Sequence, residues 1–416
     1  MFKESLYEHD FFEYCMHKFA KEYAACHELG NHLDSLTIQK IATRAFDAVA
    51  KYMYKTRGRP RFKRVCKRNK LGRLNSVEGK NNASGIRYIN NQVVWNVKGN
   101  EKLVLDVIID KKDKYGVLEH ALSCRVKYVR IVKKIVGKKL RFVAQLILEG
   151  KPKQKYAVPV DETVALDVGP SSIAVYSKND AFIEELCPDI DLCVQEIKNL
   201  QKLMDRSRRA TNPDNYDDNG VVKKGAKSWV YSNNYLKMQD QRKVLENKLK
   251  VTRKHQHGNA ANRIVACGAN IKMEKTSVKG WQKGLFGKSV GRKGPSILLE
   301  MIKRKAANAG GKVIEINTYA TKLSQTCICQ TQKKKPLSQR WHECNVCGIK
   351  CQRDLFSAYL AYHVEDNILD IPQSKKDWAS GKPLLERAIS SLKQPVTCYP
   401  ASFGLSKKPE SELVVC

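Results

Sequence analysis

The sequence has little that would hold it in or near a membrane. No apolar run reaches the roughly 18 residues of a spanning helix, and the first twenty residues are interrupted by Lys3, Glu4, Glu8, Asp10 and Lys18. The expectation is a soluble, unsecreted, intracellular protein. Aromatic residues make up only 8% of the chain, and acids are short: 42 Asp and Glu face 76 Lys and Arg, a formal charge of +34. That imbalance argues against an ordinary metabolic enzyme and for a polyanionic partner, because neutralising phosphates releases condensed counterions. Internal repeats of 20 to 50 residues are also missing. The 416 residues are nevertheless 42% hydrophobic, which excludes wholesale disorder and suggests two to four structural modules.

The first 55 residues carry Ile38, Ile41, Ala45, Val49 and Met53 at helical spacing, the pattern of a small helical module. Lys55 to Arg73 holds ten basic residues and no acid, broken by Gly58 and Pro60, and reads as a loop or extended segment. From 86 to 148, short β-rich runs alternate with turn pairs such as Asn90-Asn91, as in a small antiparallel domain. Beyond 161 the texture is α/β. Two apolar strands flank Gly169-Pro170, and helices follow near 194–203 and 229–256, joined by a polar loop expected to be mobile. A strand at 271–274, a helix at 295–308 and a strand at 312–316 come next. The last 45 or so residues show little periodicity and read as a flexible tail.

Fourteen cysteines in a long basic chain point to metal ligation where they cluster. Cys327-Ile328-Cys329 is followed after fourteen residues by Cys344-Asn345-Val346-Cys347-Gly348, two knuckles able to close a tetrahedron around one Zn²⁺. His342 and Cys351 are the substitute ligands. Three acids stand out. Asp167 interrupts an apolar strand, where a carboxylate is costly unless paired or bound to a cation, although a turn role before Gly169 is the plainer alternative. Glu274 ends the Ile271–Met273 run and could equally be a surface residue. Asp354 opens the apolar stretch LFSAYLAYHV and could simply cap a helix. Acids at two strand ends and a helix start, in a protein built for nucleic acid, suit two-metal phosphodiester chemistry.

The segments LDVGPSSIAVYS, MEKTSVKGWQK, GRKGPSILLEMIKRKAANAGGKVIEI, TKLSQTCIC, KKPLSQRWHECNVCG and CQRDLFSAYLA together resemble the TnpB family. These are transposon-encoded RNA-guided DNA nucleases related to type V CRISPR effectors. The resemblance runs from about 161 to 364. GNHLDSLTIQKIATRAFDAV, RGRPRFKR, SVEGKNNASGIRY and SCRVKYVRIVKK are similar to the same family's helical and β modules.

The resemblance implies an α/β protein with a split RuvC-like nuclease domain of RNase H fold, an inserted zinc ribbon, an N-terminal helical module and a small antiparallel wedge-like β domain. Its boundaries would be 1–55 helical; 56–160 basic loop and β domain; 161–322 RuvC-like, with a helical insertion about 190–260. The zinc ribbon would take 323–350, the third RuvC-like block 351–368 and the tail 369–416. It places the catalytic, Mg²⁺-binding acids at Asp167, Glu274 and Asp354, with two Mg²⁺ ions and one structural Zn²⁺ on Cys327, Cys329, Cys344 and Cys347. Guide RNA from the transposon end and double-stranded target DNA would be the partners, with no membrane, in the cytoplasm at the nucleoid. Arg57, Arg59, Arg61, Lys63, Arg64, Arg125, Lys127 and Arg130 are the candidate nucleic-acid contacts, with Tyr54 and Phe62 able to stack on bases. A nuclease-inactive RNA-guided repressor and an accessory transposase are the alternatives. Three departures are visible: Gln352 stands where the third block usually has Asp, the first knuckle is one residue short, and the family's opening β-strand has no counterpart, so the β domain is expected to be incomplete.

Overall fold

The structure is a computed structural model that describes residues 12–61, 75–97, 101–109, 112–136, 139–155, 157–225, 227–392 and 403. It divides into two compact units, Met1–Lys155 and Tyr156–Cys416.

The first unit begins with helices α1 (Glu13–Cys26) and α2 (Ser35–Met53). Asp34 starts α2: its carboxylate accepts from the Thr37 N–H at 3.0 Å and from Trp95 Nε1 at 2.8 Å, so one side chain caps the helix and ties it to the strand that carries Trp95. Two three-stranded antiparallel sheets follow. One joins β1 (Ser76–Glu78) to β5 (Val126–Val136) and β6 (Lys139–Leu148); the other orders β2 (Ile86–Ile89), β3 (Gln92–Asn96) and β4 (Lys102–Asp106). Ile86, Val93, Val129 and Ile131 form their shared core. The Asn90-Asn91 turn has both φ angles positive, 49° and 61°, as a tight hairpin requires. A short helix α3 (Val117–Ser123) interrupts the β pattern. Its signal is Asp113, which accepts from the N–H groups of Val117, Leu118 and Glu119.

The second unit is built on a five-stranded mixed sheet. β7 (Thr163–Val168), β8 (Ser172–Ser177) and β9 (Ala181–Glu185) are antiparallel neighbours; β10 (Asn270–Glu274) and β11 (Val313–Ile316) add parallel to β7, giving the order β11-β10-β7-β8-β9. This is the strand arrangement expected of an RNase H-type sheet. Between β9 and β10 run α4 (Asp191–Thr211) and α5 (Asn233–Cys267); α6 (Val278–Lys283), α7 (Gly287–Lys293) and α8 (Pro295–Asn308) lead to β11. After β11 come a single turn α9 (Thr318–Thr321), the hairpin β12 (Trp341–Glu343) and β13 (Lys350–Gln352), and α10 (Arg353–Tyr362).

β7 is apolar from Val164 to Leu166 because both its faces are covered. Val164, Leu166 and Val168 pack with Ala261 and Ile264 of α5 and Leu298 and Ile302 of α8. Ala165 packs on the other side in the cluster of Leu355, Phe356 and Tyr359 of α10. Side chains alternate along a strand, so Asp167 shares the α10 side with Ala165. Gly311 lets the turn into β11 approach the sheet: a Cβ there would lie 2.2 Å from the Ala269 carbonyl oxygen.

Two expectations are corrected. The segment joining α4 to α5 is not an unstructured loop. Asn212 donates to the Val230 carbonyl and accepts from the Val230 N–H, both at 2.8 Å, and Asn215 donates to Ser228. The tail is not flexible over its first part: a β14 (Val364–Glu365) and β15 (Ile368–Leu369) hairpin leads into α11 (Ile371–Lys376) and α12 (Trp378–Leu392). Trp378 packs edge-on against Phe356 and Tyr359, and His363 Nε2 meets Asp377 at 3.1 Å. Buried Gly381, Leu385 and Ala388 carry the helical stripe, which Pro383, Ser and Lys residues disguise in the sequence. Residues 393–402 and 404–416 lie outside the described residues.

Candidate nuclease centre and metal-binding ribbon

Asp167 is the next-to-last residue of β7, and Glu274 ends β10. The two strands are parallel with Leu166 opposite Met273, so one further step sets the two carboxylates side by side at the carboxyl ends of adjacent strands, where open α/β sheets place their ligands. Asp354 arrives from α10. Gln352, not Asp354, is the cap of that helix, its side-chain oxygen accepting from the Leu355 N–H at 2.7 Å. The residue that replaces the usual Asp therefore fixes the start of α10, and Asp354 sits in its first turn, where the helix dipole favours negative charge.

All three acids are half-buried. Burial first, then the charges of Asp354 and Glu274, pushes the Asp167 carboxyl well above the usual carboxylate range, against the pull of Arg353 and Arg340. Burial raises Glu274 as well. Such mutual repulsion is what a cation would relieve. The two guanidinium groups were not legible as site residues. Arg353 reaches Asp354 Oδ1 at 3.3 Å and donates to the Gln339 carbonyl at 2.9 Å. Arg340 feels both Asp354 and Asp167 while burial and Arg353 depress its own pKa. Arg353 could have been flagged by its adjacency to Asp354; Arg340 is brought in only by the ribbon's fold.

That ribbon is β12, β13 and the turn before them. The Cys327 N–H donates to Thr331 and the Gln330 N–H to Cys327, each at 2.9 Å, while Cys344 accepts from Gly348 and donates to Ile349. The Sγ atoms of Cys327, Cys329, Cys344 and Cys347 all lie within 4.8 Å of one another, with Cys327–Cys347 and Cys329–Cys344 at 3.5 Å. A tetrahedral zinc with bonds of about 2.3 Å separates its sulfurs by roughly 3.8 Å, so the four-thiol set fits Zn²⁺ and the one-residue spacer is no obstacle. Burial opposes ionisation of Cys344, but the backbone N–H groups of Cys347 and Val346 and the neighbouring thiols outweigh it and bring its pKa down to about 6. His342 and Cys351 stand outside this set. His342 is stacked on Phe356 and hydrogen-bonded to Lys335, and burial holds Cys351 up at about 12. Among the described residues no other group of three or more candidate ligands is so tightly gathered.

Of the basic candidates, Arg57, Arg59 and Arg61 are exposed just beyond α2. Lys63 and Arg64, with Phe62, lie outside the described residues. Arg125 and Lys127 share Glu149 at 3.4 and 3.8 Å. Arg130, whose side chain is 36% exposed, turns its Nε to buried Glu78 at 2.5 Å. No helix among the described residues is long and apolar enough to cross a membrane.

Comparison with known proteins gives three findings. The family described as "Cas12f1-like, TNB domain" matches residues 296–360, the stretch from α8 through the ribbon to Asp354 and α10. No curated protein matches the chain. Among solved structures, the chain is similar to the Cas12f1–sgRNA–target DNA complex, with 13% identity over 79% of this chain and 70% of that one at a TM-score of 0.49. It is also similar to a CRISPR–Cas12f ternary complex, with 15% identity, 78% and 69% covered and a TM-score of 0.31. A third is CasPhi-2 (Cas12j) bound to crRNA and phosphorothioate-DNA, with 12% identity, 65% and 58% covered and a TM-score of 0.33. Residues 296–360 thus match the family model described as a Cas12f1-like TNB domain.

Proposed function

We propose that the protein is an RNA-guided DNA endonuclease of transposon origin that hydrolyses phosphodiester bonds in target DNA. The observation that carries this reading is the convergence of Asp167, Glu274 and Asp354 on one side of the mixed sheet, where burial first and then the other two charges push the Asp167 carboxyl up. Two Mg²⁺ ions on these carboxylates would supply an activated water and stabilise the leaving oxygen. The chain's own residues do the positioning. β7 and β10 hold two acids in fixed register, and the Gln352 cap orients the third. Arg340 and Arg353 bring positive charge to the edge of the centre, where a phosphate would be held. The four-cysteine ribbon, closed by one Zn²⁺, fixes Arg340 and the entry to α10. Sequence choice would rest on base pairing with the guide, the protein supplying a basic channel. The exposed arginines Arg57, Arg59 and Arg61 are proposed to contact RNA phosphates.

The test is to co-express the protein with the RNA flanking its reading frame, sequence what stays bound, and offer DNA matched to that RNA with Mg²⁺. Guide-dependent cleavage is expected. Tight, sequence-matched binding that leaves the DNA intact would establish the repressor reading instead.

A further inference from the structure

Below the acids, on the same face of the sheet, two unlike side chains lie together. Side chains alternate along a strand, so Lys272 shares the α10 side of β10 with Glu274, and Ala165 shares that side of β7 with Asp167; Lys272 and Ala165 are direct partners in the parallel register. Ile271 and Met273 face the opposite way, into the core with Ala261 and Leu298. Lys272 is only 5% exposed. A lysine is almost never so buried without a partner, since an unpaired charge there is costly. Its Nζ donates to the Tyr362 carbonyl at 2.9 Å and to Glu365 Oε1 at 2.6 Å. Tyr362 is the last residue of α10. The ammonium therefore sits at the negative end of the helix dipole and satisfies one of the carbonyls that a helix leaves without an internal partner.

We propose that Lys272 is a positioning residue of the acidic centre, setting through α10 where Asp354 stands; this rests on the reading of Asp167, Glu274 and Asp354 as one metal-binding site. α10 is pinned at both ends. Gln352 caps its start, and Lys272 holds its last carbonyl. From Asp354 to Tyr362 the helix rises about 12 Å, short enough to move as a rod, so a slide at the Tyr362 end is delivered to Asp354. The far anchor is β10, the strand that ends in Glu274. Glu274 and the reference point for Asp354 thus belong to one strand, and the path between the two carboxylates runs through Lys272 and Tyr362. Leu355, Phe356 and Tyr359 hold α10 against the sheet, but apolar burial is non-directional; the hydrogen bond at the helix end selects a position along the axis. Glu365 is 77% exposed, so water can solvate it once Lys272 is gone. Replacing a buried charge by an apolar chain of similar length is often neutral for stability, which separates positioning from folding.

The experiment titrates the full chain, freed of nucleic acid by high salt, with Mn²⁺ and reads bound ion by electron paramagnetic resonance, beside melting temperature and zinc content; the cleavage rate and affinity for guide-matched DNA are then measured on the guide-loaded protein. Lys272→Met is expected to keep its zinc and its melting temperature while Mn²⁺ affinity and cleavage rate each fall at least about tenfold and DNA affinity is unchanged. Lys272→Arg, which retains a cation and donors for both partners, is expected to recover most of that loss. Glu365→Gln, which leaves the ammonium an acceptor and the Tyr362 bond intact, is expected to stay within about threefold of wild type. Mn²⁺ binding by Lys272→Met equal to wild type, or a loss that only tracks a fall in melting temperature or zinc content, would overturn the proposal. The two readings fail separately. Wild type that binds Mn²⁺ no better than Asp167→Asn would remove the metal centre and this proposal with it; a Mn²⁺ affinity that falls in Lys272→Met, in a wild type that cuts no DNA, would sustain the positioning and remove the nuclease reading.

Discussion

Two turns in the second unit share one backbone and differ in what holds them. After α4, the Asp217 N–H donates to Val221, Gly220 to Asp217 and Lys223 to Asn215, with a bridge between Tyr216 and Val222. In the first cysteine knuckle, 110 positions later, Cys327 donates to Thr331, Gln330 to Cys327 and Lys333 to Gln325, with a bridge between Thr326 and Gln332. Even the left-handed residue recurs: Gly220 and Gln330 both have φ of 69°. In the first turn Asp217 Oδ1 accepts from the Asn219 and Val221 N–H groups at 3.1 and 2.7 Å, and Asn212 clamps the backbone of Val230. That turn is closed by its own polar groups. In the second, Cys327 and Cys329 stand where Asp217 and Asn219 stand in the first, and they face Cys347 and Cys344 of the next hairpin. The backbone frame is indifferent to metal; the side chains decide whether it needs one.

The largest expected break in this comparison is removal of the metal. Cys344→Ser with Cys347→Ser, or chelation, is expected to unfold the ribbon, displace Asp354 and Arg340, and slow cleavage on the order of 100-fold, since a misplacement of about 1 Å costs that much. Elemental analysis should find one zinc per wild-type chain. The α4–α5 turn should be untouched, as read by limited proteolysis between 212 and 232. The converse break is Asn212→Ala, which strips both bonds to Val230 and is expected to cost about 1–3 kcal/mol, opening that turn to protease while zinc content stays at one. Smaller still, Gln330→Gly should stabilise the ribbon by up to about 1 kcal/mol, because a left-handed residue carries that strain unless it is glycine.

The same contrast explains what the sequence discloses. Helix Pro295–Asn308, strands β10 and β11 and the four cysteines are legible because periodicity or ligand spacing marks them. The α4–α5 turn is not, since its order comes from Asn and Asp side chains bonding to backbone several residues away, which leaves no period. α12 is hidden by Gly381, which periodicity treats as a breaker; the structure needs it because a Cβ would lie 2.7 Å from the Tyr359 ring. At the centre, the positions of the acids at strand ends could be read. Their proximity could not, since it depends on the parallel register of β7 with β10 and on α10 packing across the sheet.

The raised Asp167 pKa has a sign that can be checked. A carboxyl that holds its proton more tightly when folded stabilises the fold at low pH and loses that contribution as pH rises through its folded value. The metal-free Asp167→Asn variant is therefore expected to melt higher than wild type at neutral pH, by about 2 °C or more, with the gap closing as pH falls.

The central claim is that three acids act as one centre, and single substitutions in the guide-loaded protein test it most directly. Asp167→Ala, Glu274→Ala and Asp354→Ala are each expected to abolish cleavage of matched DNA while guide-dependent binding is retained, and Ca²⁺ in place of Mg²⁺ should support binding without turnover. A variant at any of the three positions that still cuts at a rate comparable to wild type would contradict the account.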